Sequence, residues 1–494
     1  MSMQTNSERK RVALIWPKGF DPHIVMPLSL GYLKSNLDAE KYDVRLFDNA
    51  LRNYAYSSDA FSEELKDFNP DVVGVSAWSP MFEETLNIVR LAKSLNSDVV
   101  TVGGGAHISS YSHKVMAHLE FDFVFRGEGD LSFGVFLDQL FSQAPNWDEV
   151  LGLTYRGADG NLVNNPTEKQ QNLDIIKIPD YGAMDLEGYH EAGYRWNTRV
   201  AKNAPLWVTR GCPYRCTFCA APVLNGKPVR THSIEYMVDW VEFLYHQRGV
   251  RWLNIIDDNF TYDKKFAKAF CRAMIDLNLP DLKFGTPNGI RMSRGDVELW
   301  GLLKQAGWET IIVAPESGSQ DTLATMKKDL DLAIVPRIVN ELRDAGLKVQ
   351  AFFILGYPGE TMEDIKKTSK FITDCRFNFI FMNNFQPLPG TPVYDDLVSQ
   401  GKIEDGLMPI NYSDGVRVYT PPGLENFNFP MFVLKKYLSL MLRDPLNIPY
   451  MIRLYRPLML AKKVGKNFLN MFDKRVKLSI HESPKSNLMP TARA

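Results

Sequence analysis

From Arg11 onward, short apolar runs alternate with amphipathic stretches. Val12–Trp16, Val44–Phe47, Val72–Ser76, Val99–Val102 and Phe121–Phe125 each read as a strand bounded by polar or glycine-rich turns. Between them, Pro27–Leu37, Phe82–Leu95 and Leu131–Phe141 carry apolar residues at helical spacing. Such alternation predicts an α/β domain over residues 10–145, with a parallel sheet covered on both faces in the flavodoxin or Rossmann manner. Residues 146–200 break the pattern with the turn cluster Arg156–Asn161 and a polar run to Gln171, and read as a hairpin and linker.

The alternation resumes in longer units, with strands expected at Leu206–Thr209, Trp252–Asp257, Lys283–Gly285, Thr310–Ala314, Gln350–Leu355 and Asn378–Asn383. Six strand–helix units predict a partial (β/α)6 barrel of TIM type over residues 201–396, open on one side. Residues 397–494 read as a helical C-terminal region. Phe429–Met441 is apolar at helical spacing, and Asp444-Pro445 interrupts it. Residues 448–472 then mix Leu, Met, Tyr and Phe with Arg453, Arg456, Lys462, Lys463 and Lys466. That stretch suits a cover over the open side of the barrel, the preferred reading, or a peripheral contact with an anionic membrane surface. The tail after Ser483 is expected to be disordered.

The stretch that changes the picture most is Arg210-Gly211-Cys212-Pro213-Tyr214-Arg215-Cys216-Thr217-Phe218-Cys219, directly after the first barrel strand. Three cysteines spaced C-x3-C-x2-C can hold three irons of a four-iron, four-sulfur cluster and leave the fourth without a protein ligand. Structural zinc normally takes four ligands in paired C-x2-C units, and no second pair is present. Cys271 and Cys375 stand alone in apolar helical patterns and read as core. Tyr214 and Phe218 would wall the cluster from water, and Arg210 and Arg215 would offset its negative charge.

The triplet, with an aromatic before its last cysteine, resembles the signature of the radical S-adenosylmethionine enzymes. The preceding domain resembles the cobalamin-binding domain of that family's cobalamin-dependent members. It does so through Pro27-Leu28-Ser29-Leu30-Gly31-Tyr32-Leu33, Pro70-Asp71-Val72-Val73-Gly74, Gly103-Gly104-x-x-His107 and Arg126-Gly127-Glu128-Gly129. The resemblance covers roughly residues 10–395, with the motifs in the expected order. It implies a four-iron cluster on Cys212, Cys216 and Cys219, which are the catalytic and metal-ligating residues. It implies cobalamin at strand ends carrying Ser76, Trp78, Gly103, Gly104, His107, Arg126, Gly127 and Glu128. S-adenosylmethionine would meet Phe218, Asp257, Asp258, Asn288, Glu316, Ser317, Gly356 and Gly359, with Arg291 and Thr361 nearby. Two departures stand out. Asp257-Asp258-Asn259-Phe260 lacks the usual glycines, and Asp21-Pro22-His23 lacks the glycine of a histidine-ligating cobalamin motif, so His23 reads as a loop residue.

The implied activity is C-methylation of an unactivated carbon in a hydrophobic or natural-product-like substrate. A deoxyadenosyl radical removes a hydrogen and methylcobalamin supplies the methyl. One alternative keeps the same cofactors, an oxidative cyclase or rearrangement enzyme of tetrapyrrole synthesis; another is a non-catalytic corrinoid carrier with a structural cluster. A methylthio-transferase would need a second cysteine triplet in the N-terminal domain, which holds no cysteine. The implied partners are a small-molecule substrate and an external electron donor of the flavodoxin or ferredoxin kind.

Composition only bounds this reading. The chain has 494 residues, 45% hydrophobic and 23% charged, with a formal net charge of −1. That balance is the one expected of a globular protein and argues against a general nucleic-acid binder, which needs a basic excess. Five cysteines without a disulfide-like framework suit a reducing cytoplasm. Residues 1–11 lack the apolar core of a signal peptide, and no apolar run is long enough to span a membrane. The expected location is cytoplasmic, or peripheral to a membrane through the C-terminal segment.

Overall fold

The computed structural model describes residues 9–19, 25–192, 200–406, 418–445 and 448–449. His23, the 448–472 stretch past its first two residues, and the tail after Ser483 lie outside them. The first seven strands, β1 (Lys10–Trp16), β2 (Tyr42–Asp48), β3 (Val72–Ser76), β4 (Val100–Gly104), β5 (Phe123–Phe125), β6 (Leu153–Arg156) and β7 (Leu162–Asn164), form one sheet. Its order is β2-β1-β3-β4-β5-β6-β7. Strands β1 to β5 pair in parallel, while β6 and β7 add antiparallel. All five residues of β3 are buried, as a central strand covered by helices on both faces requires. The hairpin read as linker therefore extends this sheet: Phe123, Val124 and Phe125 pair with Tyr155, Thr154 and Leu153.

The second half begins with β8 (Asn203–Leu206), β9 (Thr209–Arg210) and β10 (Arg230–Thr231). It continues through β11 (Trp252–Ile255), β12 (Lys283–Gly285), β13 (Thr310–Glu316), β14 (Lys348–Leu355) and β15 (Phe379–Asn384). Strands β8, β11 and β12 pair in parallel, as do β13, β14 and β15. Parallel bridges Phe284–Trp308 and Ile290–Val313 join the two triplets. The result is a six-stranded arc, β8-β11-β12-β13-β14-β15, with helices outside: the partial barrel. Its first strand starts three residues earlier than the apolar pattern suggests. Val208 and Thr209 leave the ladder because their N–H groups donate to the Asp257 carboxylate, at 2.8 and 2.9 Å.

The helix Phe429–Arg443 packs on the last strand of the arc. Tyr437 stacks on Phe379, with ring centroids 5.5 Å apart, and its hydroxyl donates to the Ile380 carbonyl. Lys436 and Arg443 donate to the carbonyls of Ser369 and Thr373 at the end of the outer helix Met362–Cys375. This helix covers the last strand of the arc, while the cover expected of residues 448–472 falls almost wholly outside the described residues. No helix of the described residues is long and apolar enough to cross a membrane.

Candidate active site

The carboxyl ends of the two parallel sheets face each other across a cavity of about 610 Å³. Leu14, Ser76, Trp78, Gly104, Gly127 and Glu128 line it from the first sheet, and Trp207, Arg210, Asn225, Ile256 and Asn288 from the barrel. Gly104 is its most telling residue. A Cβ built there meets nothing within 4 Å, so the bare backbone faces open space. Its neighbour Gly105 is left-handed (φ 95°), and a Cβ there would come within 2.8 Å of the Ala77 backbone. The pair lets a ligand approach the backbone closely while the turn stays tight.

An ion-pair cluster ties the two halves together at the cavity wall. Arg210, with no exposed side-chain surface, donates to both oxygens of Asp130 at 2.7 and 3.1 Å. Arg230 donates to both oxygens of Glu128, at 2.9 and 2.5 Å. The Arg210 guanidinium also lies over Trp207 and Tyr32, 4.3 and 4.9 Å from their ring centroids. The arginine expected to offset the cluster's charge is thus spent on the N-terminal domain. Asp130 and Trp207 carry no motif signal of their own, although Asp130 directly follows the Arg126–Gly129 motif, and Tyr32 lies within another.

Arg210 leads straight into the cysteine loop. Gly211 is left-handed (φ 97°), and a Cβ there would lie 2.2 Å from the Pro228 carbonyl oxygen, so only glycine fits. The Cys212 N–H donates to the Gly226 carbonyl, and the Thr217 N–H to the Met326 carbonyl. The Thr217 hydroxyl meets the Tyr357 hydroxyl at 2.6 Å. Phe218 stands edge-on to Tyr357, its ring centroid 6.4 Å away. All three cysteines are half-buried. Burial pushes the Cys219 thiol up to about 12 and the Cys212 thiol upward as well. Such thiols ionise only beside a cation, which suits ligands of iron. No group of three or more His, Cys, Asp or Glu among the described residues could hold a single metal ion. Three thiols are the donor set that three irons of a four-iron, four-sulfur cluster take.

Around the barrel mouth the expected residues divide. Asp258 stays beside the loop, accepting from the Asn225 amide at 2.8 Å. Asn288 faces the cavity and donates to the Ile256 carbonyl at 2.7 Å. Glu316 is buried at a bulge in β13, left-handed at φ 67°, and pairs with Lys328 at 2.9 Å. A non-glycine residue held there by a bulge is re-aimed from its strand, a placement common at working sites. Gly356 and Gly359 are both left-handed (φ 82° and 85°), as the turn after β14 demands.

Two expectations at the mouth, those for Asp257 and Ser317, need correction. Asp257 is buried and accepts from Val208, Thr209 and the Thr209 hydroxyl, so it staples strands and is not free for an ammonium. Ser317 is fully buried and accepts from the Ser319 N–H beside Thr368, which makes it part of the turn. Arg291 lies 3.4 Å from the Tyr214 ring centroid and donates to the carbonyls of Lys328 and Asp329. In the N-terminal domain two more fall away. His107 is buried against Phe82 and Tyr111 and bonds Ser79 at 3.1 Å, and burial pushes its imidazole down to about 4. Arg126 turns to the β6–β7 hairpin, donating to the Thr154 hydroxyl and the Asn165 carbonyl. Neither lines the cavity. Gly103 does, but a Cβ there would meet Ile108 and Phe121 in the core.

The structure adds polar atoms that motif reading passed over. Asn259, Thr286, Glu360 and Asn384 follow or end four different barrel strands, and each has a buried side-chain atom with no partner among the described residues. Buried polar atoms are rarely left so, and a cluster of them at one mouth fits a polar ligand. Glu360 accepts from the Gly356 N–H at 2.5 Å through one oxygen and leaves the other unpaired. Burial pushes its carboxyl up to about 7.

A family model of the radical SAM superfamily matches residues 207–372, and a model of the B12 binding domain matches residues 22–137. The chain belongs to the cobalamin-dependent radical S-adenosylmethionine enzymes. Its cofactors are a four-iron, four-sulfur cluster, S-adenosylmethionine and cobalamin. This cobalamin-dependent radical enzyme is 28% identical over 454 residues to a cytidylyl-2-hydroxyethylphosphonate methyltransferase of Streptomyces wedmorensis, covering 82% of this chain and 83% of that one. It is also 28% identical over 384 residues to an anaerobic magnesium-protoporphyrin IX monomethyl ester cyclase of Rubrivivax gelatinosus, covering 77% and 67%. Its fold is that of the radical S-adenosylmethionine methyltransferase TsrM from Kitasatospora setae, with a TM-score of 0.70 at 18% identity over 87% of this chain and 89% of that one. The residues fit the three groups. The thiol triplet suits the cluster, the unpartnered polar atoms suit S-adenosylmethionine, and the open backbone at Gly104 suits a large flat ring.

Proposed function

We propose that this enzyme methylates an unactivated carbon of a small, hydrophobic or natural-product-like substrate. The observation that carries the reading is the shared chamber: one cavity has the strand ends of the corrin domain on one wall and the residues leading into the cysteine loop on the other. When bound, the cluster and S-adenosylmethionine supply a hydrogen-abstracting radical and cobalamin supplies a methyl group.

The chain's own part is placement. Gly211 and Thr217 hold the cysteine loop against the 226–228 turn and the Met326 carbonyl. Glu360, Asn384, Thr286 and Asn259 offer hydrogen bonds to S-adenosylmethionine at the barrel mouth. Asp258 and Glu316 provide carboxylates beside it, suited to an ammonium or to ribose hydroxyls. Gly104 and Gly105 let a corrin lie against backbone, and Arg210 with Trp207 and Tyr32 closes the junction to water. Excluding water there protects a reactive intermediate.

The cyclase relative supports a second reading with the same cofactors and no methyl transfer. Product accounting separates the two. Anaerobic turnover with methyl-labelled S-adenosylmethionine should give labelled product, with S-adenosylhomocysteine and 5′-deoxyadenosine in equal amounts. Deoxyadenosine without S-adenosylhomocysteine or label would refute methylation in favour of cyclisation.

A further inference from the structure

We infer that the depression of about 450 Å³ on the outer side of the cysteine loop is the docking surface for an acidic, one-electron carrier protein. The inference rests on the radical-enzyme reading, because only a cluster that must be reduced needs such a visitor. Pro213, Tyr214 and Arg215 form one wall, and they are the residues between Cys212 and Cys216. The opposite wall is Gln320, Leu323, Ala324, Lys327, Asp329 and Leu330, on the segment whose Met326 carbonyl accepts from Thr217. The depression is therefore built on the cluster loop itself. The residue leading into that loop on its other side is committed to the corrin domain through Arg210 and Asp130.

Charge on this face leans positive. Arg215 and Lys327 are both exposed. The nearby acids each have a basic partner: Glu316 is buried with Lys328, while the exposed Asp329 and Asp321 lie 3.4 and 3.2 Å from Arg291 and Lys367. Arg215 and Lys327 are thus left without an acidic partner among the described residues. The backbone enforces this, since left-handed turns at Lys327 and Asp329 send Lys328 inward to Glu316 and leave Lys327 outside. Two cations flanking a shallow, partly apolar depression complement a negatively charged surface and speed its encounter. In the step served, the carrier loses one electron and the cluster gains it, with no bond made or broken.

The test uses the reconstituted holoenzyme with fully reduced flavodoxin as the probe. Flavin oxidation is followed by stopped flow, and binding of the oxidised flavodoxin by calorimetry. Lys327→Glu should slow flavin oxidation by about tenfold at low ionic strength and weaken binding in parallel, with the difference closing near about 0.5 M salt. Ala324→Glu, on the same wall, should act in the same direction. Deoxyadenosine formation driven by dithionite, which needs no docking, should be unchanged in both. Wild-type rates and affinity in both variants would overturn the docking surface. Wild-type enzyme that makes no deoxyadenosine even with dithionite would overturn the radical-enzyme reading instead, and the docking surface with it.

Discussion

Replacing Arg210 by Met would break the joint between the corrin domain and the cluster loop while keeping most of the side chain's volume. In the native protein the guanidinium is fully buried and makes two hydrogen bonds to Asp130, whose side chain is only 11% exposed. Glu128, 9% exposed, lies 3.8 Å from it but keeps its own partner in Arg230. The variant therefore strands one buried carboxylate rather than two. Removing one partner of a buried pair typically costs about 3–5 kcal/mol, mostly from the charge left behind. Removing both partners should restore much of that loss, so R210M/D130L should be more stable than R210M alone. The assay is chemical denaturation of the four proteins of the cycle, together with cobalamin affinity from the corrin absorption. Because Arg210 and Asp130 both line the cavity, corrin affinity should fall by about tenfold or more in R210M. An R210M protein with an unchanged denaturation midpoint and unchanged corrin affinity would refute the argument that this pair sets the two halves in register.

Other substitutions probe the remaining parts of the site. Gly104→Leu should leave the fold intact, since a Cβ there meets nothing, yet fill the cavity and weaken cobalamin binding by about tenfold; equilibrium titration with hydroxocobalamin would show it. His107→Phe should not alter the corrin spectrum, because the imidazole packs under the helix and is not at the cavity; a shifted spectrum would restore it as a ligand. Burial pushes the Asp257 carboxyl from 3.8 up to about 7, so the fold favours its protonated form more than the unfolded chain does. That contribution to stability is complete below 3.8 and is lost as pH rises through about 7, a change on the order of 4 kcal/mol. Asp257→Asn removes the titration, so wild-type protein should lose stability relative to it between about pH 4 and pH 7. Denaturation midpoints that run parallel over that range would count against the assignment.

Much of the architecture could be read in advance because its signals are local. Buried parallel strands such as Val72–Ser76 are short continuous apolar runs, and the helix Phe82–Leu95 begins and ends where its pattern does. The cysteine triplet is equally plain, since chemistry fixes its residue types and spacing. What escaped was set by contacts between distant segments. The hairpin after residue 150 looked like a connector because its polar turn hides that Leu153–Arg156 pairs with Phe123–Phe125. His107 and Arg126 sit in the right motifs, yet side-chain direction sends one to Ser79 and the other to Thr154. Asp257 and Asp258 are adjacent acids, and only the position of Val208 and Thr209 decides which of them is spent on the strands. The unpartnered atoms of Asn259, Thr286 and Asn384 carry no sequence signal at all, because a lone Asn or Thr after a strand is ordinary.

The account stands most directly on whether the thiol triplet drives reductive cleavage of S-adenosylmethionine. Anaerobically reconstituted protein, given S-adenosylmethionine and dithionite, should show broad iron–sulfur absorbance and form 5′-deoxyadenosine. The Cys216→Ala variant should lose both while still binding cobalamin. Full biological activity in that variant, or wild-type protein with neither the absorbance nor the nucleoside, would contradict it.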